Sequence, residues 1–374
     1  MKKILIVGGG PAGSSAAIRL CSIGYHVTLI EREIFPRNKL CGEFLSPECV
    51  GHFRELGVLN EVLSSGANRV LRTTFYDERG NNFTIKSDWF SSKEHALSVS
   101  RATLDSILLN KAREHGVSFL QGWRAIGILR QKERVCGVRL KNEKGLELEL
   151  QADLIIDATG KSASLVRMTS TQKLYVKNKL IGFKAHFNQV DSDPEACEMY
   201  VFPGGYGGVT KVELGLTNHC FLITAEVAKR FDGNPEKIMK NVIFCNRRAY
   251  EVFRDSKVEG RWYSVSLDGF GFKKDVPVKG LVAIGDASAF IDPFTGSGIL
   301  LALQSSKLLS SLLASREFSE ERYKRECKRV LRARMLFCSI LRRFAFAPKL
   351  SSEMIRALAL SENVSRLLAM ATRF

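Results

Sequence analysis

Acidic residues are scarce in this chain. Across 374 residues, 39 Asp+Glu face 56 Lys+Arg, a formal net charge of +17. Such a surplus favours anionic partners or surfaces and excludes little by itself. Other shortages exclude more. The nine cysteines are odd in number and scattered, and no CxxC occurs. That argues against a disulfide framework and for reduced thiols in a cytoplasmic protein. The six histidines show neither HExxH nor close pairing, so no metal site is expected. There is no GxSxG, which removes one hydrolase class. No apolar run approaches the length of a membrane span; Ile299 to Leu303 is among the longest. Met1-Lys2-Lys3 before an apolar run mimics a leader, but the glycine turn that follows cuts the run short. No internal repeat or low-complexity tract is visible.

What is present is glycine at two telling places. Ile4-Leu5-Ile6-Val7 is a buried-strand run that delivers Gly8-Gly9-Gly10-Pro11-Ala12-Gly13. Gly8 suits a tight turn, Gly10 lets a backbone approach a pyrophosphate, and Gly13 lets helix and strand pack closely. The helix beginning near Ala12 points its positive dipole end at the phosphates. A second strand, His26 to Ile30, ends on Glu31, an acid placed to accept an adenosine ribose, with Arg32 beside it. Far along the chain, Leu281 to Ile284 delivers Gly285-Asp286. Pro293-Phe294-Thr295-Gly296-Ser297-Gly298 then turns into an apolar helix. Asp286 can hold a ribityl chain, which FAD has and NAD lacks. The helix start behind Gly296 and Gly298 can aim N–H groups at an isoalloxazine. The two stretches read as opposite ends of one FAD site. Only one such fingerprint is present, so hydride must come from transiently bound NAD(P)H, or electrons from a partner reductase.

On these residues the chain resembles the FAD-dependent family that joins p-hydroxybenzoate hydroxylase-type monooxygenases with geranylgeranyl reductases and flavin-dependent halogenases. The resemblance spans roughly residues 1 to 315. It implies an α/β fold: a Rossmann-like FAD-binding domain of the glutathione-reductase type, a β-sheet substrate domain and C-terminal helices. It implies Glu31 on the adenosine ribose and Asp286 on the ribityl chain. Arg37 to Glu43 is similar to the geranylgeranyl reductase loop in which a Cys-Gly pair, here Cys41-Gly42, lies by the flavin. Arg101 matches an arginine that meets the cofactor. Two features depart from neighbouring branches. Thr159, in Asp157-Ala158-Thr159-Gly160, stands where hydroxylases carry an Asp, although Arg167 downstream is kept. The halogenase tryptophan motif is missing, for Trp89, Trp123 and Trp262 sit alone.

The expected organisation is discontinuous. Residues 1–70, 100–170 and 275–315 make the FAD-binding domain, residues 71–99 and 171–274 a cap sheet, and residues 316–374 basic amphipathic helices. A three-stranded unit is read from Val117–Leu120, Arg134–Leu140 and Leu146–Leu150, and a second sheet from about Lys179 to Leu267. Tyr200, Phe202, Tyr206 and Pro293 are read as cavity residues, and the glycines around Tyr206 as a close backbone approach. Pro348 is expected to end one helix and Ser352 to cap the next. Residues 316–374 carry 14 Lys+Arg against 6 Asp+Glu. They are a candidate for peripheral membrane contact, and equally for covering the cavity.

Cys41 and Glu43 are the candidate catalytic residues, Cys41 as a thiol near the ring and Glu43 as a pocket acid or a partner for Lys39. The sequence leads to a reductase of the geranylgeranyl reductase type, acting on a lipophilic small molecule. The alternative is a monooxygenase, hydroxylase or halogenase, on an aromatic or polyketide-like compound. A nucleic-acid-associated flavoprotein is a third class, suggested by charge alone. Oligomeric state is not legible.

Overall fold

The computed structural model describes residues 2–90, 94–169, 180–267, 269–273 and 278–371. Five parallel strands form its first layer, in the order Leu281–Ala283, Leu154–Asp157, Lys3–Val7, His26–Glu31 and Ser118–Gln121. Their near-continuous apolar runs follow from cover on both faces. Ile4, Ile6, Val27 and Leu29 pack into one core with the helices Pro11–Ser22, Arg101–Glu114 and Gly298–Ala314. Leu5, Val7 and Ile30 point the other way, against Ala125, Val138 and Leu140 of an antiparallel sheet. That sheet is made of Trp123–Gln131, Arg134–Asn142 and Glu147–Gln151. The expected three-stranded unit is therefore corrected. Its first member, 118–121, edges the parallel sheet, and Trp123–Gln131 takes the place assigned to it.

A seven-stranded sheet forms the second layer, in the order Lys257–Leu267, Leu180–Asn188, Thr217–Thr224, Gly205–Lys211, Ala196–Phe202, Arg72–Tyr76 and Asn82–Lys86. Neighbours run antiparallel except Ala196–Phe202 and Arg72–Tyr76, which are parallel. Lys179, where this sheet was expected to start, lies outside the described residues, as do the expected boundaries at 170/171 and 275. Ala96–Ser98 leaves the large sheet and pairs with Phe44–Leu45 and Asn68–Val70. Glycines 205, 207 and 208 do allow a close approach, but to neighbouring strands. An added Cβ would meet the Leu222 carbonyl oxygen at 2.1 Å, Phe221 Cβ at 2.8 Å and Met199 Sδ at 2.7 Å respectively.

Three helices follow: Glu320–Ala345, Pro348–Ala359 and Glu362–Ala371. Ser319 caps the first by accepting the Arg322 N–H. Its buried stripe starts against the nucleotide-binding layer, through Tyr323, Cys327 and Leu331, and finishes against the large sheet, through Leu341 and Ala345. Pro348 does not merely end a helix. It opens the next one in the first turn, where its missing N–H leaves no bond unmade, and Ser352 lies inside that helix. Among the described residues no helix is long and apolar enough to cross a membrane.

One buried group gives the fold a pH signature. His219 is fully buried among Phe187, Phe221 and Phe253, its Nδ1 3.2 Å from the Gly208 carbonyl oxygen. Burial holds it down at about 4 from an ordinary 6.5, although the Gly208 carbonyl pulls the other way. Between those values the unfolded chain binds a proton that the fold refuses. Stability is therefore full above the ordinary value and declines as pH falls from 6.5 towards 4, by up to roughly 3 kcal/mol from this group. His52, also lowered to about 4 by burial and by Arg19, adds a loss of the same sign. Denaturation of a His219→Phe variant should show a shallower decline over that window than the parent.

Candidate active site

The first strand ends in a turn that has no spare space. Gly8 has φ +112°, and a Cβ on it would lie 2.3 Å from the Ala158 carbonyl oxygen. A Cβ on Gly13 would lie 1.8 Å from the Gly8 carbonyl oxygen. Helix Pro11–Ser22 can pack this close to the strand only with glycine at both positions. Glu31 closes the turn from the next strand. Its Oε2 accepts from the Gly9 N–H at 2.8 Å, and its Oε1 from the Arg32 and Glu33 N–H groups at 2.9 and 3.0 Å. Burial works against the Glu31 charge. Arg37 and those N–H groups outweigh it, and the carboxyl is held below its ordinary range. The Arg32 side chain points outward and pairs with Glu33 at 3.1 Å.

Two arginines stand over the turn. An added Cβ at Gly10 would lie 3.5 Å from Arg101 Nη2 and 3.7 Å from Arg37 Nη2. Asp105, fully buried, holds both. Its oxygens accept from Arg101 Nε and Nη2 at 2.8 Å each, and Arg37 Nη1 lies 3.0 Å away. The bidentate pair fixes Arg101 in a plane suited to an anion. Lys39 reaches into the same space. It is open to the cavity yet surrounded by protein atoms. Desolvation first, then Arg101 and Arg37, push it down to about 8. Asp286 arrives from the far strand, its carboxyl raised to about 6 by burial, against the pull of Lys39, Arg101, Lys273 and Lys161. Three cations crowded beside a helix N-terminus are the donor set a diphosphate needs, and Asp286 supplies an acceptor for hydroxyls beyond it. The residues therefore fit FAD.

A cavity of about 300 Å³ opens from this point and runs between the large sheet and the C-terminal helices. Gly10, Ala12, Cys41, Gly42, Arg101, Asp286, Pro293, Gly296 and Gly298 all line it. The structure thus brings together residues from both ends of the chain. Gly8, Gly13, Glu31 and Arg37 stand behind that wall, around the turn. Tyr206 also lines the cavity. Its hydroxyl donates to Asp292 Oδ1 at 2.8 Å, and Arg342 of the long C-terminal helix approaches Asp292 Oδ2 at 3.2 Å.

Two expected cavity residues belong elsewhere. Tyr200 and Phe202 are fully buried on the opposite face of the sheet, packed with Ile238, Val252 and Phe253. Their neighbours Cys197, Met199 and Val201 face the cavity. Side chains alternate along a strand, so the choice of phase moves the whole set to the other face.

Glu43 is corrected as well. Its carboxylate is fully buried and does not partner Lys39. It pairs with Lys184 Nζ, lies 2.7 Å from His186 Nε2 and accepts the Arg101 N–H at 2.8 Å. Burial would raise its pKa, but the His186 hydrogen bond and the Lys184 charge more than offset that, so it sits below the ordinary range. A carboxylate so held is a poor proton donor; it ties the Cys41 loop to the large sheet. Cys41 itself lines the cavity, its Sγ accepting the Glu43 N–H at 3.3 Å. Sequence reasoning singled out neither Lys184 nor His186, which alternate on a strand from another part of the chain. It also passed over Asp105, although Arg101 and Asp105 stand one helical turn apart, a spacing that signals an ion pair.

The glycine turn, the closing acid and the late Gly-Asp segment define a flavin-nucleotide-binding protein with a covered second sheet. The family model for the FAD binding domain matches residues 1–334, and the chain belongs to that family. It is a flavoprotein oxidoreductase. It is 26% identical over 329 residues to a tryptophan 2-halogenase of Chondromyces crocatus, covering 84% of this chain and 61% of that protein's length. It is 28% identical over 318 residues to a digeranylgeranylglycerophospholipid reductase of Methanosarcina acetivorans, covering 82% of this chain and 73% of the relative. A flavin-dependent brominase has a similar fold, with a TM-score of 0.82 and 21% identity over 98% of this chain and 93% of its own.

Proposed function

We propose that this chain is an FAD-dependent reductase of a lipophilic, olefinic small molecule, of the geranylgeranyl reductase type. The observation that carries the reading is the distribution of charge in the cavity. Its charged lining residues, Lys39, Glu43, Arg101 and Asp286, all belong to the cofactor end. Beyond them, among the described residues, the walls are apolar or uncharged: Thr73, Phe75, Met199, Leu222, Phe294 and Leu341 are representative. A substrate with a fixed charge along its length would lose hydration there without a partner.

FAD bound at this site would supply the two-electron chemistry. Arg37, Arg101 and Lys39 would hold its diphosphate, Glu31 the adenosine ribose and Asp286 the ribityl hydroxyls. Gly296 and Gly298 would let the backbone lie against the ring. Cys41 Sγ, on the cavity wall at the cofactor end, would hold a proton for the reacting carbon, and the apolar walls would limit water there. Electrons would come from NAD(P)H bound transiently or from a partner reductase. The second reading is a monooxygenase, hydroxylase or halogenase, on an uncharged aromatic compound; the halogenase relatives favour it. The experiment that separates them is reoxidation of the protein after reduction without air. A prenyl olefin should reoxidise it and leave with one double bond fewer. Oxygen uptake matched to hydroxylated or halogenated product would overturn the reading.

The cysteines form no disulfide among the described residues, which suits a cytoplasmic setting. The C-terminal helices expose Leu336, Ile340, Leu360 and Leu367 beside arginines, a surface suited to peripheral contact with an anionic membrane. Binding to acidic but not neutral vesicles would support that contact. Retention of RNA at moderate salt would point instead to a nucleic-acid partner.

A further inference from the structure

We infer that the helix Pro348–Ala359 closes the far end of the cavity and that Ile355 and Met354 set the longest chain the site accepts. The inference rests on the reading of a lipophilic substrate and adds which residues limit its length. The cavity has a polar end and an apolar end. At the first stand Lys39, Cys41, Arg101 and Asp286. At the second the wall is built by Phe83 and Ile85 of the sheet's edge strand, Val201 beside them, and Met354 and Ile355 of the helix. Ile355 is 1% exposed and packs with Phe83, Val201 and Leu358 in a small cluster.

The helix is held in place from several sides, which makes it a wall more than a loose flap. Ser351 Oγ donates to the Ala347 carbonyl at 3.1 Å and also reaches the Phe344 carbonyl, tying the helix to the end of the one before it. Ser365 Oγ donates to the Leu358 carbonyl at 2.9 Å, tying it to the one after. Lys86 of the edge strand pairs with Glu362 at 2.7 Å, exposed on the outside. A chain entering with its reacting double bond at the cofactor end therefore runs along the sheet and stops against Ile355. Each carbon beyond that stop would have to displace a buried side chain in a packed cluster, and overpacking of that kind is costly.

The test uses the full-length, FAD-loaded protein and a series of prenyl alcohols with two, three and four isoprene units. Binding is read from the perturbation of the flavin absorbance in the oxidised state, which needs no turnover. Ile355→Trp should leave the shortest alcohol within about threefold of wild type and weaken the longest tenfold or more. Ile355→Ala should bind the longest at least as tightly as wild type does. Leu146→Trp, altering a residue 60% exposed in the hairpin turn between Arg134–Asn142 and Glu147–Gln151, should change nothing. A parallel loss at every length, or a length profile unmoved by either Ile355 variant, would overturn the inference. The two readings fail separately. If olefins are reduced but the cut-off ignores Ile355, only the length limit falls. If no olefin is reduced while the binding cut-off moves with Ile355, only the reductase reading falls.

Discussion

A Gly13→Val variant should leave the purification colourless. The added Cβ would sit 1.8 Å from the Gly8 carbonyl oxygen and 3.1 Å from its carbonyl carbon. Both are backbone atoms, so no side chain can turn aside to make room. The turn cannot retreat either, because Gly8 already lies against Ala158 on its other side. Relief must come from moving the strand end and the helix start apart, and that separates the groups that would hold the diphosphate. Overpacking of an ordinary core costs about 1–3 kcal/mol. A clash with fixed backbone belongs at the upper limit, about a hundredfold in FAD affinity. Gly51→Ala is the control. Gly51 lies in the helix Glu48–Glu55 with nothing within 4 Å of an added Cβ, and alanine should hold that helix slightly better. A Gly13→Val protein that stays yellow with unchanged FAD affinity would remove the nucleotide turn from the account.

Glu43→Gln should destabilise the protein by roughly 3–5 kcal/mol, the usual cost of leaving one member of a buried ion pair without the other. Lys184 is fully buried, and Glu43 carries the only carboxylate paired with it among the described residues. The Glu43→Gln/Lys184→Met double variant should recover most of the loss, since it strands neither charge. Urea midpoints of the four proteins close the cycle; equal losses in the single and double variants would mean that the pair is incidental. The pH dependence has a definite sign. The folded Glu43 carboxyl lies below its ordinary value of 4.5, so its contribution is full above that value and is lost as pH falls below it. A second consequence concerns Cys41, two residues away. Releasing Glu43 from the sheet should loosen the Cys41 loop and alter the flavin absorbance even where FAD stays bound.

Much of the cofactor end was legible before any coordinates. Gly8, Gly10 and Gly13 sit at a spacing that few other structures need, and Glu31 follows at the end of a strand of fitting length. Gly285-Asp286 could be read for the same reason. A short local segment carries both the backbone shape and the chemistry. The cavity was far less legible. Residues 196–202 are buried throughout, so the sequence offered no polar phase to say which of Met199, Tyr200, Val201 and Phe202 faced inward. The aromatic residues turned out to be on the wrong side. The Glu43 network was invisible for a different reason. Its partners Lys184 and His186 are remote in sequence, and a lysine in a strand ordinarily reads as a solvent-facing residue. The tail was legible as amphipathic helix, with covering the cavity one of its open readings, because periodicity says that a face is covered and never by what.

Sequence alone determined a tight glycine turn between a strand and a helix, a Gly-Asp pair at the end of a distant strand and a basic helical tail. Each of those is a local matter, fixed by a few neighbouring residues and the backbone geometry they permit. Only the tertiary structure decided which side of the large sheet faces the cavity, that Glu43 is clamped by a strand from the other layer, and that the helices Glu320–Ala345 and Pro348–Ala359 line the cavity. Those depend on register and on contacts between segments far apart in the chain, and a linear pattern of polar and apolar residues leaves them open.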